Sequence, residues 1–132
     1  MTDTQRELVA TGSCLCGSVR YRVRGPLRDV LVCHCVFCRR MNTHVGAYTA
    51  CDPADLEIES AKTLRWHRSS PRARRGFCSK CGSALFWEPT PLTHMSIAAG
   101  SLNGPTGLKI EAHICVAQKG DYYEITDGRP QK

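Results

Sequence analysis

Seven of the nine cysteines fall into three tight groups: Cys14 with Cys16; Cys33 with Cys35 and Cys38; and Cys78 with Cys81. Nine cysteines are many for the reducing compartment expected below, and thiols clustered in this way point to metal rather than to disulfides. Cys14-Leu15-Cys16 opens a strand-like segment. Residues two apart on a strand share a face, so both thiolates can reach one ion. Cys78-Ser79-Lys80-Cys81-Gly82 has the spacing of a zinc knuckle. Its two intervening residues allow a tight turn, and the following glycine tolerates positive φ. Together the two pairs supply four thiolates, a closed tetrahedral set of the structural kind. Sulfur-only sites take zinc or iron–sulfur centres, and zinc is expected here. The plainer alternative is four buried free thiols.

Cys33-His34-Cys35-Val36-Phe37-Cys38 differs, because no fourth cysteine lies close by. Three protein ligands and an open position form the pattern of a catalytic zinc. A distant His or Cys that closed the site would make it structural instead. His34 is expected to point away from the face of Cys33 and Cys35 and to orient rather than ligate. Three thiolates on a dication leave a net charge of about −1, a poor setting for generating hydroxide. The same site suits a fourth thiol, which coordination would deprotonate. Such a thiolate attacks an aldehyde carbon, so thiol–carbonyl addition or its reversal is expected before hydrolysis. Cys51 and Cys115 are expected to be buried and inert. His44, His94 and His113 are expected to be hydrogen-bonded structural histidines.

The elements that must hold these groups read as short strands. Val19, Tyr21 and Val23 alternate with Arg20, Arg22 and Arg24, as do Leu56 and Ile58 with Glu57 and Glu59. This is the period of a half-buried strand. Leu64 and Trp66 flank Arg65, and 84–87 and 95–98 are short apolar runs. The longest alternation runs Leu108, Ile110, Ala112, Ile114, Val116. Residues 35–42 could form one or two helical turns, and residues 69–76 are the loosest internal stretch. The expected class is mainly β, with antiparallel strands, in a single domain over residues 1–132. Hydrophobic residues make up 42% of the 132, enough for a core. No apolar run approaches membrane-helix length. Met1 to Glu7 lack an apolar stretch after a basic start, so no secretory signal is expected and the cytoplasm is the expected compartment. The formal charge of +6 suits an anionic small molecule, a nucleic acid, or solubility alone. Part of it sits in Arg39-Arg40 and in Arg72, Arg74 and Arg75.

Gly12-Ser13-Cys14-Leu15-Cys16-Gly17, Cys33-His34-Cys35-Val36-Phe37-Cys38-Arg39-Arg40 and Phe77-Cys78-Ser79-Lys80-Cys81-Gly82-Ser83 resemble the glutathione-dependent formaldehyde-activating enzyme family, which includes centromere protein V. Ala99-Gly100-Ser101-Leu102-Asn103 and Ile125-Thr126-Asp127-Gly128-Arg129-Pro130 resemble its closing segments, with Asn103 where Asp is usual. The resemblance implies a β-tent fold of packed antiparallel sheets with short helical turns. It implies two zinc ions per chain: a structural one on Cys14, Cys16, Cys78 and Cys81, and a catalytic one on Cys33, Cys35 and Cys38. The implied activity condenses formaldehyde with glutathione to S-(hydroxymethyl)glutathione, a carbon–sulfur lyase reaction in reverse. Arg39 and Arg40 are the expected partners of the thiol's carboxylates. Two other classes stay open. One is a zinc-stabilised module that binds nucleic acid or protein, motivated by the basic runs, although basic and aromatic residues do not cluster as nucleic-acid binders require. The other is a B-type methionine sulfoxide reductase, whose zinc takes two Cys-x-x-Cys pairs beside a separate nucleophilic cysteine; Cys78 and Cys81 pair with Cys14 and Cys16 here, which lack that spacing, and Cys35 with Cys38 belongs to the separate three-cysteine group.

Overall fold

Val19, Tyr21 and Val23 are buried to 1% exposure or less, while Arg20 and Arg22 stand in solvent. The alternation therefore makes the strand expected of it, β2 (Arg20–Val23). It pairs antiparallel with β1 (Ala10–Ser13) on one side and β5 (Leu56–Ser60) on the other. Cross-strand ion pairs Arg22–Glu59 and Arg24–Glu57 lie on this three-stranded sheet. The protein is described here from a computed structural model covering residues 7–132; the reading of the first residues as leaderless falls largely outside them.

A second sheet holds seven strands: β3 (Val30–Cys33), β4 (Gly46–Cys51), β6 (Leu64–Ser70), β7 (Ala73–Cys78), β8 (Ala84–Pro89), β9 (Met95–Ala98) and β10 (Ile110–Ile114). Their order is β10-β3-β4-β9-β8-β7-β6. The expectation of antiparallel strands holds with one exception: β10 runs parallel to β3. No hairpin joins these two distant segments, so nothing local dictates their relative direction. The class is mainly β; the described residues also hold one short α-helix, α1 (Val36–Met41), between β3 and β4, and three single 3-10 turns.

The stretch at 69–76, loose by composition, instead spans the β6–β7 hairpin. The ladder hydrogen bonds and the stacking of Arg74 over Trp66, 4.1 Å from the ring centre, hold it. The long alternation ends early, because Cys115 adopts a left-handed conformation (φ 55°) just after β10. The C-terminal residues then cover the free edge of β10: His113 N–H donates to the Pro130 carbonyl and Lys132 N–H to that of His113. An edge covered in this way cannot template pairing with another chain.

The core lies between the two sheets. Tyr21 of β2 meets Phe86 of β8 edge-on, with ring centroids 5.4 Å apart, and Val19, Val23, Leu85 and Ile97 are fully buried around them. No helix among the described residues is long and apolar enough to cross a membrane.

Candidate metal centres

The first centre joins the two sheets. Cys14 and Cys16 do not sit on a strand, as the spacing argument assumed. They occupy the turn that links β1 to β2. Cys78 closes β7 and Cys81 lies in the tight connection to β8, where Gly82 takes φ +81°. The four sulfurs lie within 4.8 Å of one another. Cys14 Sγ is 3.6 Å from Cys16 Sγ, which is 3.8 Å from Cys78 Sγ. A disulfide would need about 2.0 Å. A tetrahedron with sulfurs at about 2.3 Å from its metal has edges of about 3.8 Å. The donor set therefore fits a four-thiolate metal site.

Donors around the cluster favour thiolates. Cys81 is pulled down to about 5, first by its hydrogen bond with the Ser83 hydroxyl (3.1 Å). The Thr63 hydroxyl, 3.2 Å from Cys78 Sγ, lowers that thiol. Burial pushes Cys14 the other way, partly offset by Val19 N–H, which donates to its sulfur at 3.3 Å.

The second centre is built where β3 runs into α1. Cys33 ends the strand, and Cys35 is the extended residue that caps the helix, its sulfur accepting from Cys38 N–H at 3.4 Å. Cys38 lies buried in the first helical turn. The three sulfurs again fall within 4.8 Å of one another, and no fourth Cys, His, Asp or Glu joins them among the described residues. The three-sulfur donor set fits a metal with one position left for another ligand. Cys38 is drawn down to about 6, first by the hydrogen bond from Cys33 and then by the Arg75 guanidinium. Cys33 moves up, because it keeps the proton that the two sulfurs share. Gly46 of β4 pairs with Cys33 and passes close by: a Cβ there would lie 2.8 Å from Cys38 Sγ.

A cavity of about 470 Å³ opens on this centre, with all three cysteines in its wall. Arg28, Arg72 and Arg75 also line it, and no Asp or Glu does. Arg28 is held by its Nη2, which donates to the Tyr48 carbonyl at 3.1 Å. Arg39 and Arg40, expected to face the substrate, instead lie in the last turn of α1 and do not line the cavity. The helix turns them away once Cys35 and Cys38 point inward. Cys51 is buried as expected, and burial pushes its thiol up to about 11. Cys115, expected to be buried, is exposed and lines the cavity, because β10 ends before it.

The sequence reading missed one connected set. His34, 2% exposed, does not line the cavity of the three cysteines. Its Nδ1 is 2.5 Å from the Tyr123 hydroxyl and its Nε2 is 2.9 Å from Nδ1 of His113. His113 Nε2 in turn reaches Asp127 Oδ2 at 2.8 Å. Arg75 was missed as well. On a strand, Arg74 and Arg75 must face opposite ways, and that alone could have flagged one of them as turned inward.

Comparison with known proteins follows this geometry. The family model described as glutathione-dependent formaldehyde-activating enzyme matches residues 9–118. The chain is 30% identical to a Halomonas elongata protein named as a candidate glutathione-dependent formaldehyde-activating enzyme, over 89% of this chain and 82% of that one. It is 25% identical to a Schizosaccharomyces pombe protein named only as an uncharacterised lyase, over 88% and 85%. Among solved structures, a Rhodobacter sphaeroides protein superposes with a TM-score of 0.62 at 24% identity, over 74% of this chain and 91% of that one. That last likeness is one of fold.

Proposed function

The chain belongs to the glutathione-dependent formaldehyde-activating enzyme family, and from that premise we propose that it is a carbon–sulfur lyase. It would join, or release, an anionic thiol of the glutathione type and formaldehyde or another small aldehyde. The relatives named as a lyase and as a formaldehyde-activating enzyme support this class. The observation that carries it is the contrast between the two centres. Four sulfurs close one of them, whereas three sulfurs leave the other open to a cavity with arginines and no acid in its wall.

In this reading Cys14, Cys16, Cys78 and Cys81 hold a structural zinc and tie the two sheets together. Cys33, Cys35 and Cys38 hold a second zinc, which when bound would supply a Lewis acid able to keep a substrate thiol deprotonated. The protein's own residues do the rest. Arg28 and Arg72 draw in the carboxylates of the thiol, for which their forked donors suit them. Trp87 supplies an apolar part of the cavity wall. Tyr48 is pushed up by its burial and stays a protonated hydroxyl in the same wall. His34, locked by His113 and Tyr123 behind the site, fixes the peptide between Cys33 and Cys35 so that both sulfurs face the cavity.

The alternative of a nucleic-acid module loses its motive in the basic run. Arg74 pairs with Glu88, Arg75 is buried, and Arg72 faces the cavity. The test is acceleration of exchange between formaldehyde and its glutathione adduct by the native protein, and its absence with Cys35→Ser.

A further inference from the structure

Arg75 is 6% exposed, and no carboxylate among the described residues pairs with its charge. Its Nε is the one buried side-chain polar atom without a hydrogen-bond partner among the described residues. A buried, unpaired charge is costly enough that removing its partner from a pair typically destabilises a protein by several kcal/mol. What faces this guanidinium is sulfur, with the Tyr48 hydroxyl beside it: both terminal nitrogens lie 3.8 Å from Cys38 Sγ. That is a long contact, more counter-charge than hydrogen bond. The same side chain lines the cavity beside Cys33, Cys35 and Cys38. Arg75 therefore has donor capacity to spare at the place where a substrate would meet the open centre.

The charge has to move during the reaction. When a thiolate adds to an aldehyde, a sulfur lone pair forms the S–C bond and the carbonyl π pair goes to oxygen. The sulfur becomes a neutral thioether and the oxygen an alkoxide, which then takes a proton from water. Cleavage runs the same steps backwards. A site that compensates only the sulfur would stabilise the reactants and not the transition state, and would gain nothing in rate. A fixed donor aimed at the new oxyanion is the usual remedy.

We propose that Arg75 is a catalytic residue that balances the three-cysteine centre at rest and receives the aldehyde oxygen as it becomes an alkoxide. This rests on the reading of that centre as thiol-accepting. It assigns Arg75 a task separate from that of Arg28 and Arg72, which serve the remote carboxylates.

The test uses a matched pair of probes, mercaptoacetate and its methyl ester. Both offer one thiol, and only the acid places an anion beyond the methylene, one bond further out than the alkoxide. Binding is read from the thiolate-to-cobalt absorption of the full-length protein loaded with Co²⁺. The expected result is at least tenfold tighter binding of the acid by the wild type, a preference lost in Arg75→Met, partly kept in Arg75→Lys, and unchanged in Arg40→Met, which removes an equal charge outside the cavity. In the zinc-loaded wild type, the Arg75 Nε–H resonance in a ¹H–¹⁵N spectrum shifts with the acid and not with the ester, a readout that needs no variant to fold. Equal binding of acid and ester by the wild type, or a preference that survives Arg75→Met, overturns the role of Arg75 while leaving the centre thiol-accepting. If neither probe changes the cobalt spectrum, the thiol-accepting reading falls and the role of Arg75 falls with it.

Discussion

His34 Nε2 lies 2.9 Å from Nδ1 of His113, across the parallel pair of β3 and β10. The rest of the chain of contacts sets the direction of this bond. The Asp127 carboxylate only accepts, so His113 Nε2 carries a hydrogen and its Nδ1 accepts. His34 must then donate from Nε2 and accept at Nδ1 from the Tyr123 hydroxyl. Burial and the neighbouring His113 lower the pKa of His34, which agrees with a neutral ring. The expected ¹⁵N signature of His34 is therefore that of the Nε2–H tautomer at pH 7. Asp127→Ala should loosen this assignment and broaden the His34 signals. An Nδ1–H tautomer in the wild type would contradict it.

The two centres should respond oppositely to ligand loss. Cys81→Ser removes a corner of the cluster that ties the β1–β2 turn to the β7–β8 connection. Structural zinc contributes on the order of 10 kcal/mol in small domains, so this variant should lose its cooperative thermal transition. Cys35→Ser should keep a cooperative transition and bind one metal ion fewer per chain. Elemental analysis with scanning calorimetry checks both; unfolding of Cys35→Ser would recast the second centre as structural.

Gly46→Ala is the least disruptive probe of the three-cysteine centre. The added methyl would press on Cys38 Sγ and also on the Tyr48 ring, 2.7 Å away. Gly46 pairs with Cys33 and is not among the residues of the main core cluster. The variant should fold and yet bind metal at the second centre at least tenfold more weakly, measured by competition with a chelator. Unchanged affinity would show that β4 does not shape the site.

Tyr21 gives an alkaline signature. Burial raises its phenol to about 12, with its hydroxyl 2.6 Å from that of Ser101. Because the folded value exceeds the unfolded value near 10, the contribution of Tyr21 is whole below pH 10 and is lost as pH rises toward 12. Two units correspond to a loss of about 3 kcal/mol. Tyr21→Phe should cost about 1 kcal/mol at pH 7 through the lost hydrogen bond and should flatten the fall above pH 10. Denaturant titrations of both proteins across that range would show it, and parallel curves would contradict it.

Much of this was legible in the residues, for identifiable reasons. Val19, Tyr21 and Val23 announce β2 because a period of two survives wherever one face is buried. The three cysteine groups announce both centres because each is local in sequence. What brings the groups together is not local. Cys14 and Cys16 reach one point through a turn rather than through a strand face, and spacing cannot tell these apart. Arg39 and Arg40 looked close to the site by sequence, yet the helical turn that carries Cys38 inward carries them away. Arg75 and His113 approach the second centre only through sheet pairing between distant segments, and Asp127 joins them through its bond with His113. The parallel β10–β3 pair has no hairpin to announce it.

The central claim is that the three-cysteine centre catalyses exchange between a thiol adduct and free aldehyde. The most direct measurement is exchange NMR of ¹³C-formaldehyde with glutathione, comparing zinc-loaded native protein, Cys35→Ser and no protein. The adduct forms unaided, so rates must be compared rather than yields. The prediction is an exchange rate raised at least tenfold by the native protein and left at the unaided value by Cys35→Ser. Equal rates in all three samples, with two zinc ions present per native chain, would contradict it.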